Sequence, residues 1–191
     1  MISMALHDRI RKLTYDDYAL LPEDGRRYEI IDGELYVSPS PFIPHQELSF
    51  ELSGRFWSYL KRHRLGRILA APVDVLLSKH DIVQPDLLFI SNERAGIAAD
   101  NKNVKGAPDL LVEILSKSTR KLDEEIKLHL YERYDVLEYW IFDTDRRSVR
   151  AYRRSGERLL LIAELSAEAG DVLTTPLLPG LELPLSEIFS I

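Results

Sequence analysis

Two carboxylates set into apolar runs are the residues of this chain best placed to do chemistry. Asp86 lies in Gln84-Pro85-Asp86-Leu87-Leu88, and Glu113 lies in Val112-Glu113-Ile114-Leu115-Ser116. Each run sits among Val, Ile, Leu and Phe and reads as a short buried strand. A carboxylate in such surroundings is costly unless a paired charge, strong hydrogen bonds or a metal ion compensates it. Two of them, followed by a helical stretch that carries Lys127, describe a site for a divalent cation beside an ammonium group.

Each residue also has an ordinary structural reading. Asp86 follows Pro85, whose missing N–H interrupts strand pairing. It either turns toward a cleft or accepts backbone hydrogen bonds at the strand start. Alternation puts Asp109, Leu111, Glu113 and Leu115 on one side of their strand. Glu113 is then either functional or half of a buried ion pair. Lys127 borders its helix's apolar stripe, with Asp123, Glu124 and Tyr131 within one turn. It either reaches over the sheet toward both carboxylates or makes a surface pair with Asp123, which would contribute little.

The elements that must position these groups follow from periodicity and turn chemistry. Thr14 caps a short helix through residue 21, with Asp16 and Asp17 in its first turn. Residues 27–37 form a β-hairpin about Asp32-Gly33. Ser38-Pro39-Ser40-Pro41 and Pro44 make a stiff connector. Leu48, Leu52, Phe56, Tyr59 and Leu60 then mark one face of a helix over 45–63, which Gly66 ends. Strands are expected over 68–77, with Pro72 at an edge or bulge, and over 82–91 and 109–115. A loop with one helical turn near 95–99 separates the last two. A helix over 120–134 carries Leu122, Ile126 and Leu130 as its buried stripe. A strand at 138–142, a hairpin about Ser155-Gly156, a short strand and a final helical turn complete the order. The fold class is α/β (α+β), a mixed central sheet flanked by helices, in one domain over 1–191.

Composition excludes several function classes. The 191 residues are 45% hydrophobic and 29% charged, the profile of a folded globular protein. No apolar run approaches the ~18 residues that span a bilayer, and the stretch Met1 to Asp8 lacks a signal-peptide pattern. A cytoplasmic protein with no membrane partner is therefore expected. The absence of cysteine excludes disulfides, thiolate metal sites and thiol nucleophiles. A net charge of −6 argues against polyanion binding by the whole surface. Two basic clusters, Arg55/Lys61/Arg62/His63/Arg64/Arg67 and Arg146/Arg147/Arg150/Arg153/Arg154, are local exceptions, each readable as a solvated face.

Pro85-Asp86, Glu113-x-x-Ser116 and Lys127-x-x-x-Tyr131 resemble the PD-(D/E)XK nuclease superfamily, and more narrowly its Uma-two branch of restriction-endonuclease-like proteins. The hairpin Tyr28-Glu29-Ile30-Ile31-Asp32-Gly33-Glu34-Leu35, Pro39 with His45-Gln46, Pro72-Val73-Asp74-Val75 and Glu138-Tyr139-Trp140-Ile141 extend the likeness over most of the chain. The resemblance implies a restriction-endonuclease-like core with N-terminal and C-terminal β-hairpins. It implies an endonuclease that hydrolyses phosphodiester bonds of nucleic acid, DNA in the first place, with Mg²⁺ or Mn²⁺, and a homodimer as the assembly. Asp86, Glu113 and the backbone carbonyl of Ile114 would hold the ion, and Lys127 would complete the catalytic set. Glu29, His45, Asp74 and Tyr131 are further candidates. Glu29 would otherwise pair with Arg26 or Arg27, His45 would otherwise only start its helix, and Asp74 would otherwise cap local backbone.

One departure bears on activity. The superfamily's usual lysine, two residues after the acidic residue, is Leu115 here. The branch supplies the lysine from the following helix, as Lys127; Lys117, in the turn, is the poorer candidate. Leu115 equally suits a catalytically inactive nucleic-acid-binding or assembly module of the same fold. A glycoside hydrolase using the two carboxylates would need a groove of exposed aromatics, whereas Trp57 and Trp140 both read as core.

Overall fold

Apolar runs bounded by Pro, Gly and Asp become strands, and two mixed sheets result. The computed structural model describes residues 11–190; the stretch Met1 to Asp8 lies outside them. A one-turn helix α1 (Tyr15–Tyr18) is held by Asp17, whose carboxylate accepts from the Thr14 N–H and hydroxyl, both at 2.9 Å. Strands β1 (Arg27–Ile31) and β2 (Glu34–Ser38) form the expected hairpin. Asp32 and Gly33 take φ of 54° and 79°, as a tight turn between twisted strands requires.

The long helix α2 spans Ile43–His63. It starts before the expected position because Pro44, in its first turn, forfeits no hydrogen bond there. Leu48, Leu52, Phe56, Tyr59 and Leu60 are buried as predicted. Trp57 is not: it is 57% exposed, because its neighbour Phe56 takes the core position and the helix turns Trp57 outward. Arg64, not Gly66, ends α2 in a left-handed conformation, φ 52°. Gly66 instead opens strand β3 (Gly66–Ala70), where the chain passes so close to its neighbour that a Cβ would lie 2.1 Å from the Ile90 carbonyl oxygen. Gly66→Ala is expected to cost about 3 kcal/mol of unfolding free energy, the upper range for overpacking, measured by denaturant titration.

The predicted strands over 68–77 and 82–91 are each two. Pro72 separates β3 from β4 (Val75–Ser78), and Gln84-Pro85 separates β5 (Asp81–Val83) from β6 (Leu87–Ser91). In both places the chain crosses from one sheet to the other, since proline cannot continue a ladder. A 3₁₀ turn at Ala95–Ala98 and the short β7 (Val104–Lys105) lead to β8 (Leu110–Ile114).

The helix expected over 120–134 begins with a π-helical stretch, Leu122–Lys127, and continues as α3 (Leu128–Arg133). This wider winding moves its buried face. Asp123, Lys127 and Tyr131 turn inward with Leu122 and Leu130, while Ile126 is only half-buried. After it come β9 (Glu138–Asp143), the hairpin β10 (Ser148–Ser155) and β11 (Arg158–Ser166), then β12 (Val172–Thr174), β13 (Glu182–Pro184) and a helical turn α4 (Leu185–Ile188).

The six-stranded sheet runs β11-β10-β9-β8-β6-β3, with β8 and β9 parallel and the other pairs antiparallel. The five-stranded sheet runs β2-β1-β5-β4-β7. One face of the larger sheet packs against α2 and the C-terminal elements through Leu48, Leu52, Phe56, Trp140, Leu183 and Ile188. The other packs against the smaller sheet and the π/α3 helix through Ile31, Val83, Leu111, Leu115, Leu130 and Tyr139. This is the expected α+β fold, a mixed central sheet flanked by helices with hairpins toward both ends. Among the described residues, no helix is long and apolar enough to cross a membrane.

Candidate active site

The central sheet brings the two carboxylates together by register. Leu87 of β6 pairs antiparallel with Val112 of β8, so one step further sets Asp86 beside Glu113. Glu113 shares its strand face with Leu111 and Leu115, which pack on the side of β1 and the π/α3 helix. Both carboxylates are buried, and both line one cavity of about 30 Å³ with Arg27, Glu29, His45, Ile114, Asp123 and Lys127. That volume suits about one water-sized occupant.

Asp86 is clamped from three elements. Oδ2 accepts the Ile114 N–H at 2.7 Å and faces His45 Nε2 of α2 at 3.1 Å. Arg27 Nη2 of β1 lies 2.8 Å from Oδ1, yet off the hydrogen-bond axis, so the buried Oδ1 has no hydrogen bond. Burial pushes this carboxyl's pKa up, but His45, Arg27 and the Ile114 N–H outweigh burial and hold it at about 2.

Glu113 faces Lys127. Its Oε1 accepts from Lys127 Nζ at 2.9 Å and from the Tyr131 hydroxyl at 3.1 Å. Lys127 Nζ also lies 3.0 Å from Glu29 Oε1 and 3.3 Å from Asp123 Oδ1. Glu29 Oε1 in turn accepts the Gln84 N–H at 2.8 Å, fixing β1 to the crossover before Pro85. Burial raises the Glu113 carboxyl well above its ordinary range, with Asp123, Asp86 and Glu29 adding like-charge repulsion. Burial likewise raises Asp123 to about 6, against the pull of Lys127. Four carboxylates thus face two permanent cations, Arg27 and Lys127, in a dry cluster. Such an excess of negative charge is stable only if protons or a further cation offset it.

The expected residues divide clearly. Asp86, Glu113, Ile114, Lys127, Glu29 and His45 converge on the cavity, and Tyr131 supports Glu113 from behind. Lys127 is wholly buried, so the surface-pair alternative fails. Glu29 pairs with Lys127, whereas Arg26 pairs with Asp24 and Arg27 with Asp86. Asp74 does not join the site. It accepts from the Tyr18 hydroxyl at 2.7 Å and from Gln84 Nε2 at 2.9 Å, beyond the crossover. Lys117 is exposed and borders a separate hollow with Leu115 and Thr144. Leu115 is buried in the core.

Arg27 and Asp123 belong to the site without having been singled out for it. Their signals are periodic: Arg27 shares a strand face with Glu29, and Asp123 lies one turn before Lys127. Most of the second basic cluster is structural. Arg150 pairs with Glu124, Arg153 with Glu138, and Arg154 donates to the carbonyls of Val136, Tyr131 and Glu132.

Comparison with known proteins agrees with this architecture. Residues 15–186 match the model of the Uma2 family, whose description reads "Putative restriction endonuclease". The fold is similar to the crystal structure of "a putative nuclease belonging to DUF820" from Anabaena variabilis. The TM-score is 0.77 at 22% sequence identity, over 93% of this chain and 98% of that one. No curated protein is matched by the chain.

Proposed function

The chain belongs to the Uma2 family of restriction-endonuclease-like proteins, and from that premise we propose that it is a metal-dependent endonuclease acting on DNA. The observation that carries the reading is the shared cavity, where the carboxyl groups of Asp86, Glu113, Glu29 and Asp123 meet two cationic side chains, Arg27 and Lys127. We propose further that the whole chain acts as one domain.

The donor set suits a hard divalent cation. Carboxylate and carbonyl oxygens are the ligands Mg²⁺ and Mn²⁺ prefer. Asp86 Oδ1 is buried and lacks a hydrogen bond, and Glu113 makes its hydrogen bonds through Oε1 alone among the described residues. Those two side chains, with the Ile114 carbonyl, would hold the ion. Among the described residues no three His, Asp or Glu side chains stand in a ready ligand cage, so binding requires small side-chain turns. When bound, the ion supplies a more acidic water and neutralises charge on the phosphate.

The protein's own groups do the rest. Lys127 places a positive charge at the cavity, where it would orient the attacking water or stabilise charge developing on the phosphate. Tyr131 and Glu29 fix the ammonium and Glu113 relative to one another. Arg27 and His45 hold Asp86 ionised and aimed at the cavity. The expected result is nicking of supercoiled plasmid in Mg²⁺ and none in EDTA.

The raised carboxyl groups set a pH dependence. Their protons compete with a dication, so affinity for Mn²⁺ should climb as pH rises through about 6, where Asp123 titrates. Calorimetry in buffers of differing ionisation enthalpy should detect proton release on binding. Uptake that is flat from acid to neutral pH would contradict this.

A binding module without catalysis is the second reading. It is favoured by the crowding of Lys127, whose ammonium already faces as many carboxylates as it has N–H bonds. Metal uptake without nicking would select it. The sugar-hydrolase reading loses ground, because Trp140 is core and Trp57, though exposed, does not line the cavity.

A further inference from the structure

Of the two permanent cations at the cavity, one is fixed and the other is loosely held. The Lys127 side chain is 2% exposed, and its ammonium faces one carboxylate oxygen for each of its three N–H bonds. The Arg27 side chain is 21% exposed, and among the described residues Asp86 is its one charged partner. Nη2 lies 2.8 Å from Asp86 Oδ1 without the alignment of a hydrogen bond. A guanidinium carries five N–H bonds in a rigid fork that matches carboxylate or phosphate two at a time. Against Asp86 that fork is poorly used.

The pair also sits on an oxygen that a metal ion would need. Asp86 Oδ2 is taken by the Ile114 N–H and by His45, which leaves Oδ1 as the buried oxygen without a hydrogen bond. A dication on Oδ1 would meet a guanidinium of like charge, and away from bulk water that repulsion is strong. Only one of the two can hold Oδ1 closely.

The place of Arg27 in the fold decides where it would turn. Arg27 pairs with Ser38 across the hairpin. The exposed Pro39 and Phe42 follow, and they line the cavity as well, so this is its outer rim. The cavity's volume of about 30 Å³ suits one water-sized occupant, and a phosphodiester group must therefore rest at the rim. Among the described residues, Arg27 and Lys127 are the only arginine and lysine on the cavity wall. Lys127 has no N–H to spare.

We propose that Arg27 is a placeholder for the metal and a ligand of the scissile phosphate. It neutralises Asp86 before an ion binds, yields Oδ1 to the ion, and turns its fork to the phosphate at the rim. The proposal rests on the nuclease reading and names the residue that grips the substrate's backbone there.

The two roles pull in opposite directions, which a residue that merely supports the fold would not do. Mn²⁺ titration by calorimetry and plasmid nicking should be compared in the native full chain, Arg27→Gln and Arg27→Lys, with folding checked by circular dichroism. Arg27→Gln should bind Mn²⁺ about ten-fold or more tightly, since a like charge is gone. It should nick about 100-fold more slowly, since a phosphate donor is gone. Arg27→Lys keeps the charge without the fork, so its Mn²⁺ affinity should stay near native while nicking falls between the other two. Weaker Mn²⁺ binding by a folded Arg27→Gln overturns the proposal, because Arg27 then only aims Asp86; nicking at the native rate overturns it too. A Mn²⁺-soaked crystal of the native chain gives the same decision without any variant. The guanidinium should have left Asp86 Oδ1, and a bound ion with Arg27 still in place sinks the placeholder alone. A native chain that binds no Mn²⁺ sinks the metal-dependent reading and the placeholder with it.

Discussion

Lys127→Ala should lower unfolding free energy in EDTA by about 3–5 kcal/mol, the range for removing one partner of a buried ion pair. Its ammonium stands within 3.3 Å of oxygens from Glu29, Glu113 and Asp123, and all four side chains are nearly inaccessible to water. Without it, Arg27 remains as the one permanent cation against four carboxylates. Protonation relieves part of the strain, so the loss should be smaller at acid pH than at neutral pH. That sign follows from Glu113 and Asp123, whose carboxyls burial already raises. Mg²⁺ should restore more stability to the variant than it adds to the native chain, because a ligand stabilises the state that binds it. Denaturant titrations at two pH values, with and without Mg²⁺, measure all three effects. A loss under about 1 kcal/mol would mark Lys127 as a surface-like pair, contrary to its burial. Plasmid nicking by the variant should fall to background.

Asp86→Asn should separate chemistry from folding. The amide oxygen can still accept the Ile114 N–H, which Asp86 holds at 2.7 Å, so the chain should fold. What disappears is a carboxylate held ionised down to about 2. Mn²⁺ affinity should drop about 100-fold, at the upper end of what even outer-shell changes cost a metal site. Plasmid nicking should drop about 100- to 1,000-fold. Circular dichroism, calorimetry and the nicking assay together decide it. Full nicking by a folded Asp86→Asn variant would remove Asp86 from the site.

Much of this arrangement is legible in the chain. Asp86 and Glu113 announce themselves because a carboxylate within Val, Ile and Leu is costly unless it has a purpose. The strand alternation that aims Glu113 toward Leu111 and Leu115 holds in the structure. The hairpin at Asp32-Gly33 and the buried stripe of α2 are equally readable. Periodicity puts Lys127 on the right helix but not at the right depth, because the π-helical turns over Leu122–Lys127 rotate it inward. No periodicity rule based on a regular α-helix contains that rotation. Pro72 and Pro85 look locally like irregularities within strands, whereas they mark crossovers between two sheets. Sheet membership is a long-range property that a local window does not carry. Gly66 misleads for the same reason: a close approach to Ile90, remote in sequence, requires it. Trp57 shows the limit of apolar patterning, since a large aromatic beside a core position can face solvent.

A crystal of the full chain soaked in Mn²⁺ and measured for anomalous scattering would put the shared cavity to the proof. One anomalous peak contacted by both Asp86 and Glu113, lost in Glu113→Gln, is the expected result. No peak at saturating Mn²⁺, with Asp86 still clamped by Arg27 and His45 and Glu113 still bound to Lys127, would mean that these groups form a buried structural network and hold no ion.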